Sequence, residues 1–441
     1  MTGARAARSC PAVLIAAPAS GQGKTTVACA LARLHARQGR RVRAFKCGPD
    51  FLDPQWLALA SGAPVHQLDL WMTGEADCAE RLWQAAGEAD LVIVEGVMGL
   101  FDGEPSAADL ARRFGLPVMA VVDAAAMAGT FGALAHGLRH YQAGLPWAGV
   151  LANRVAGERH AAMLQAGLRD GADWLGGLAR QPAAALPERH LGLVAAGELP
   201  DALRRLDAAA DALAATPLGS LAPGQLQRWT MRIEPPAAPP AIPPLLQGRT
   251  VAIARDAAFC FVYAANLDCL QALGARLSFF SPLAGEALPE CDAVWLPGGY
   301  PELHAPQLSR NLRLREGLAA HLARSKPMWA ECGGMMALFD ALQTADGQVH
   351  PMWGLLPGQV VMQQRLAALG PQQLALAGGV LRGHTFHHSL CASPLAPAAH
   401  TTSPGGVKSG EALYRLGSLR ASYFHAWFAS SPAATAELFH A

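Results

Sequence analysis

Ala12-Val13-Leu14-Ile15-Ala16-Ala17-Pro18-Ala19-Ser20-Gly21-Gln22-Gly23-Lys24-Thr25-Thr26 joins an apolar run to a glycine-lysine loop, and its reading decides the fold. Ala12 to Ala17 predicts a buried strand and about Thr25 to Gln38 a helix, which is the setting that a phosphate-binding loop requires. Gly21 and Gly23 let backbone N–H groups turn onto phosphate oxygens, the helix N-terminus adds a favourable dipole, and Lys24 adds a point charge. Thr25 then offers its hydroxyl to Mg²⁺, with Thr26 beside it in the nucleotide-binding set. The G-x-x-x-x-G-K-[ST] pattern asks for Gly at position 18, where Pro18 stands, so the motif is a variant. Arg5 and Arg8 before this apolar run, with Ala17-Pro18-Ala19 after it, imitate a signal peptide. Cleavage there would cut into the loop, so a strand is expected.

Outward from this loop, short β-type runs alternate with alanine- and leucine-rich helical stretches. The runs are Arg41 to Lys46, Leu91 to Val94, Pro117 to Val122, Ala148 to Ala152 and Leu191 to Ala195. The alternation predicts a parallel sheet with helices on both faces. Leu116 to Ala135 reaches membrane-spanning length only by including Asp123, so a strand and then a helix are expected there. Six prolines lie between Pro235 and Pro244 and predict a stiff, extended spacer. Beyond it, Thr250 to Ala254, Arg276 to Phe280, Ala293 to Leu296 and Pro327 to Ala330 predict a second open α/β domain, ending in short strands and turns.

Composition narrows the partners. The 441 residues carry 35 Lys+Arg against 34 Asp+Glu, so nothing electrostatic favours nucleic acid or an anionic membrane. Only 16% are charged and 51% hydrophobic, enough apolar surface for large cores. Nine cysteines without a C-x-x-C pair suit a reducing cytoplasm better than a disulfide framework. Only four lysines are used, Lys24, Lys46, Lys326 and Lys408, and two of them fall in the segments of chemical interest.

Open α/β sheets bind ligands beyond the C-terminal ends of their strands. Lys46-Cys47-Gly48-Pro49-Asp50-Phe51-Leu52-Asp53-Pro54 follows the second predicted strand, and Glu95-Gly96-Val97-Met98-Gly99-Leu100-Phe101-Asp102-Gly103 the third. Glu95 at a strand end suits a Mg²⁺ ligand, since that ion prefers carboxylate, hydroxyl and water oxygens. In the second half, Trp329-Ala330-Glu331-Cys332-Gly333-Gly334 has the pattern of a nucleophile elbow, with small neighbours around a cysteine between strand and helix. A helix N-terminus at that place predicts a lowered thiol pKa. Pro297-Gly298-Gly299-Tyr300-Pro301-Glu302 can present backbone N–H groups, so that Gly299 and Gly333 form an oxyanion site. For the base there are two candidates, His425 and the cluster His384, His387 and His388. The cluster lacks convincing metal-ligand spacing.

Together these parts resemble the cobyrinate or hydrogenobyrinate a,c-diamide synthases of cobalamin biosynthesis. The Gly48 to Pro54 and Glu95 to Gly103 segments distinguish them from the related cobyric acid synthases. The resemblance implies a P-loop NTPase-like parallel-sheet domain similar to dethiobiotin synthetase, over 1–230. A Pro-rich linker over 231–247 and a class I glutamine amidotransferase-like α/β domain over 248–441 follow. It implies ATP and Mg²⁺ as cofactors, a corrinoid and L-glutamine as substrates, a cytoplasmic protein with no nucleic-acid or membrane partner, and a homodimer as a compatible assembly. Carried over by position, Gly21, Gly23, Lys24 and Thr25 hold nucleotide and metal, and Glu95 holds metal. Lys46, Asp50, Asp53 and Asp102 surround the reacting carboxylate or phosphate. Cys332 attacks glutamine with His425 as base, and ammonia travels internally to an acyl phosphate made in turn on the a and c side chains. Class I amidotransferases usually place Glu two residues after the His, a place where this family often has a second His. Trp427 stands there here, so the third member is unidentified. Thr385 likewise replaces a family Glu. Other readings are a cobyric acid or nickel-sirohydrochlorin a,c-diamide synthase, or a partitioning-type switch ATPase with a non-catalytic second domain.

Overall fold

The structure is a computed structural model that describes residues 5–189, 192–406 and 408–440. The chain forms two compact units, Met1–Pro239 and Pro240–Ala441. In the first, strands β1 (Arg8–Ala16), β2 (Val42–Cys47), β3 (His66–Leu68), β4 (Leu91–Glu95), β5 (Val118–Asp123), β6 (Trp147–Val155) and β7 (Trp174–Ala179) build one sheet in the order β3-β2-β4-β1-β5-β6-β7. All neighbours in this path are parallel. A fully parallel sheet needs both faces covered. Its central strands accordingly read as unbroken apolar runs, with Ala12 to Ile15, Leu91 to Val94 and Val118 to Val122 fully buried. Sheet order reverses at β1, between β4 and β5, which puts the loop after β1 at the topological switch point.

Helix α1 (Lys24–Arg37) leaves that loop, and α2 (Asp53–Ser61) follows β2. The expected strand-then-helix reading of 116–135 corresponds to β5 and α3 (Thr130–His140). Among the described residues no helix is long and apolar enough to cross a membrane.

Three features depart from expectation. The run Leu191 to Ala195 is not a sheet strand. Leu191 lies outside the described residues, and Gly192–Leu193 forms only a two-residue ladder with Glu188–Arg189. The last sheet strand is instead β7, whose Gly176-Gly177 pair looks like a break in sequence. There the glycines admit close neighbours, since a Cβ at Gly176 would stand 2.8 Å from the Thr216 Cβ. Thr230–Ile233, on the expected boundary between domain and spacer, is a further strand, β8, paired antiparallel with Arg8–Pro11 of β1. Met231 and Ile233 are buried while Thr230 and Arg232 are exposed, the period-2 signature of a strand too short to stand out in sequence.

His35 on α1 yields a stability prediction. Burial, helped by the adjacent Arg40 guanidinium, holds its imidazole down from 6.5 to about 4. The unfolded chain therefore binds the proton more tightly. The associated stability is present above pH 6.5 and is lost as pH falls through 4. Urea unfolding of His35→Leu is expected to show an acid-side loss smaller than that of the wild type by about 2–3 kcal/mol. Parallel pH dependences would contradict this.

The second unit contains β9 (Thr250–Ala254), β10 (Arg276–Phe280), β11 (Ala293–Leu296), β12 (Met328–Glu331) and β13 (Leu419–Ser422), parallel in the order β10-β9-β11-β12-β13. Antiparallel strands continue the sheet and end with β14 (Gly379–His387) beside β15 (His425–Trp427). A separate four-stranded sheet packs within this unit. Glu331 pairs with Ser422 across β12 and β13, and His384 with His425 across β14 and β15. These two registers assemble the cysteine site.

Candidate functional site

Gly21 and Gly23 take left-handed φ values of 76° and 95°, which places α1 directly after the loop and starts it at Lys24. The loop is tied from behind: Asn153 Nδ2 donates to the Gln22 carbonyl at 2.8 Å, and the Asp123 N–H donates to Gln22 Oε1 at 2.8 Å. Sequence reasoning missed Asn153, whose only signal is its place at the end of a sheet strand.

Lys24 Nζ donates to the carbonyls of Met98 at 2.6 Å and Ala19 at 3.2 Å, so the ammonium bridges the loop and the segment after β4. Burial, followed by the like charge of Lys46, lowers its pKa, while Glu95, Asp53 and Asp102 oppose this. An incoming phosphate would supply the charge that Lys24 lacks. Thr26 stands in the first turn of α1.

Behind the loop lies a buried polar cluster. Lys46 is 3% exposed and its Nζ reaches Asp53 Oδ2 at 2.7 Å, Glu95 Oε1 at 3.0 Å and the Gly96 carbonyl at 3.1 Å. Burial works against its charge, but Asp53, Glu95 and Asp50 outweigh it and hold the ammonium above its ordinary pKa. Burial, then Asp53, pushes Asp50 up to about 6 and Glu95 up to about 7. Asp50 Oδ1 accepts the N–H groups of Leu52 and Asp53, both at 2.8 Å, which shapes the turn into α2. Asp102 is exposed and its Oδ2 accepts the Gly99 N–H at 2.7 Å. The structure thus brings Lys24, Thr25, Lys46, Asp53 and Glu95 together, with Asp50 and Asp102 within electrostatic range.

The donor set fits a hard divalent cation. Thr25 Oγ1 donates to Glu95 Oε1 at 2.6 Å, and Glu95 Oε2 is buried without a hydrogen-bond partner. A carboxylate oxygen left without a partner in a dry site is costly unless a cation completes it.

In the second unit Cys332 links β12 to the one-turn helix Gly333–Met336 with φ 43°. A non-glycine residue held there stores strain of order 1–3 kcal/mol, as nucleophile elbows do. A Cβ on Gly333 would come within 2.8 Å of the Gly299 nitrogen, so the two backbones proposed as oxyanion donors are in contact. A Cβ on Gly298 would stand 2.4 Å from His425 Cε1, which sets the His425 ring against the same turn.

The expected lowering of the thiol pKa is not found. Burial, then the Glu302 carboxylate, pushes Cys332 up, and the hydrogen bond from the Gly333 N–H offsets this only in part. Burial likewise raises Glu302 to about 7. His425 is 1% exposed, and burial with His384 and His387 lowers its pKa well below the ordinary value. Of the rival base cluster, His384 stacks on His425 with ring centroids 5.0 Å apart and meets the Tyr263 hydroxyl at 3.2 Å. His387 contacts Glu411 Oε1 at 3.1 Å, the same oxygen that accepts from Thr385 at 2.8 Å.

Glu331 is the residue that sequence reasoning passed over. Its Oε2 lies 4.0 Å from His425 Nδ1, while Oε1 accepts from Trp329 Nε1 at 2.7 Å and from the Ala426 N–H at 3.3 Å. Burial raises this carboxyl to about 8. Trp427, in the place where a third triad member was sought, is fully buried and packs its ring on Tyr263.

Comparison with known proteins places these two sites in a family. Residues 13–194 match the CobQ/CobB/MinD/ParA nucleotide binding domain and residues 250–433 the CobB/CobQ-like glutamine amidotransferase domain. The hydrogenobyrinate a,c-diamide synthases of Stutzerimonas stutzeri and Pseudomonas aeruginosa are 58% and 57% identical to the chain. Alignment covers 98% of this chain and 99% of the first protein, and 97% of this chain and 97% of the second. The cobyrinate a,c-diamide synthase of Herminiimonas arsenicoxydans is 51% identical, with 97% of this chain and 96% of that protein covered. An ATP-binding unit with a phosphate loop and a glutamine amidotransferase unit with a cysteine elbow, matched end to end by these relatives, make one conclusion plain: the chain belongs to the hydrogenobyrinate/cobyrinate a,c-diamide synthase family of glutamine-dependent amide-forming ligases.

Proposed function

We propose that the protein amidates the a and c carboxylates of a corrin ring, hydrogenobyrinate or cobyrinate, using ATP, Mg²⁺ and L-glutamine. The observation that carries this reading is the buried Lys46–Asp53–Glu95 cluster, joined to the phosphate loop through the Thr25–Glu95 hydrogen bond, which sets an ammonium and two carboxylates beside the place of the nucleotide. A carboxylate is a poor electrophile and oxide a poor leaving group, so the acceptor must first be activated. The substrate carboxylate takes the terminal phosphoryl group of ATP, giving an acyl phosphate and ADP. Lys24 steadies the phosphate oxygens, and Lys46, Asp50, Asp53 and Asp102 surround and position the reacting groups. Thr25 and Glu95 hold Mg²⁺, which when bound neutralises phosphate charge.

In the second unit His425 takes the Cys332 proton as the thiol attacks the glutamine amide. The Gly299 and Gly333 N–H groups face the developing oxyanion. Ammonia leaves, and water releases glutamate from the thioester. Ammonia then displaces phosphate from the acyl phosphate to give the amide, and the cycle repeats at the second carboxylate. The relatives carry names for both the cobalt-free and the cobalt-containing substrate.

The test is direct. Purified protein with ATP, Mg²⁺ and glutamine is expected to convert a corrin acid to a product lighter by two exchanges of a carboxyl OH for NH2, with ADP and glutamate formed in step. A single amidation, or no turnover of either corrin acid, would overturn the assignment.

A further inference from the structure

We propose that Glu331, the residue immediately before the nucleophile, is the positioning residue for His425 and takes the part of the missing third member. This inference rests on the reading of Cys332 and His425 as an amidotransferase pair.

The geometry comes from two ladders meeting. Glu331 ends β12 opposite Ser422, and the Cys332 N–H donates to the Ser422 carbonyl at 2.7 Å. Three residues beyond Ser422 the chain reaches His425. Glu331 Oε1 is tied to the neighbouring Ala426 N–H and to Trp329 Nε1, which turns Oε2 towards Nδ1 of the imidazole, 4.0 Å away. Both side chains are buried, Glu331 to 1% exposure and His425 to 1%. On its other sides the ring meets His384, stacked at an interplanar angle of 18°, and Phe261 at 6.0 Å between centroids.

A base that takes a thiol proton must present an unprotonated ring nitrogen to the sulfur, so its other nitrogen must carry the proton and needs an acceptor. Glu331 Oε2 lies within ion-pair range of Nδ1 but beyond hydrogen-bond length at 4.0 Å, so it becomes that acceptor when the site tightens around substrate, which leaves Nε2 for Cys332. Proton transfer then creates an imidazolium in a dry pocket, and the ionised form of Glu331, which burial alone disfavours, gains from this new positive charge 4.0 Å away and so stabilises the imidazolium more than the neutral ring. The usual Glu two residues after the His is dispensable here because the same charge arrives from the strand that carries the nucleophile.

The test separates positioning from mere support of the fold. Glu331→Gln keeps an oxygen for Trp329 Nε1 and the Ala426 N–H, but offers Nδ1 an amide hydrogen and so favours the wrong tautomer. With glutamine, kcat is expected to fall by about 10²–10⁴ while KM for glutamine changes by less than about threefold. Synthesis from free ammonia is expected to continue. Alkylation of Cys332 by a diazoketone analogue of glutamine is expected to slow by the same order. Glu331→Asp retains the charge and is expected to recover at least about tenfold of what Gln loses. Wild-type kcat and alkylation in Glu331→Gln, or equal losses in Asp and Gln, would overturn the inference. Absence of alkylation at Cys332 in the wild-type protein would instead overturn the amidotransferase pair on which it rests.

Discussion

Cys332→Ala is expected to reduce glutamine-dependent amidation by a factor of at least about 10⁴, since removal of a covalent nucleophile leaves only binding and oxyanion stabilisation. Synthesis with free ammonia should survive at a rate near that of the wild type. Two properties of the elbow set this expectation. The thiol is buried and raised in pKa, so it is a poor spontaneous nucleophile and depends on a base during reaction. The site also has no second thiol on the same turn, because Gly333 and Gly334 follow. Parallel assays with glutamine and with ammonium salt, followed by product mass analysis, check it. Loss of both activities would show that one site performs both reactions.

Lys24→Ala is expected to remove synthesis from either nitrogen source, by about 10²–10⁴ in kcat, because a positioned cation on the transferring phosphoryl group contributes at that scale. Its ammonium spans the carbonyls of Ala19 and Met98, so the variant also frees the segment after β4. Glutaminase chemistry at Cys332 should persist at some level. Lys24→Arg is not expected to restore synthesis, since a planar fork does not replace a compact ammonium between two carbonyls. Unchanged ammonia-dependent synthesis in Lys24→Ala would sink the phosphate-loop assignment.

Much of the architecture was legible because a parallel sheet covered on both faces writes its strands as short, wholly apolar runs. Ala12 to Ile15 and Leu91 to Val94 are such runs, and each ends in residues with chemistry. β7 was hidden because its two glycines answer to the crowding of Thr216 and Val155, which only the packed fold reveals. The phosphate loop and the elbow were legible because each is local, with spacing and function in the same few residues. Glu331 was not legible as a partner of His425. The link runs through the β12–β13 register and a backbone bond to Ala426, and nothing in the local sequence joins position 331 to position 425. The elevated Cys332 thiol was missed for a similar reason, since its cause is enclosure by distant segments.

The pairing of Thr230–Ile233 with Arg8–Pro11 also bears on how the protein is made. The strand that leads into the phosphate loop leaves the ribosome well before its antiparallel partner, which lies about 220 residues further along the chain. Until then the leading half of that strand remains an open edge, and contacts so distant in sequence form slowly. The nucleotide unit therefore becomes complete only when its last strand is released, and a nascent chain halted before residue 230 carries the catalytic loop on an unfinished sheet.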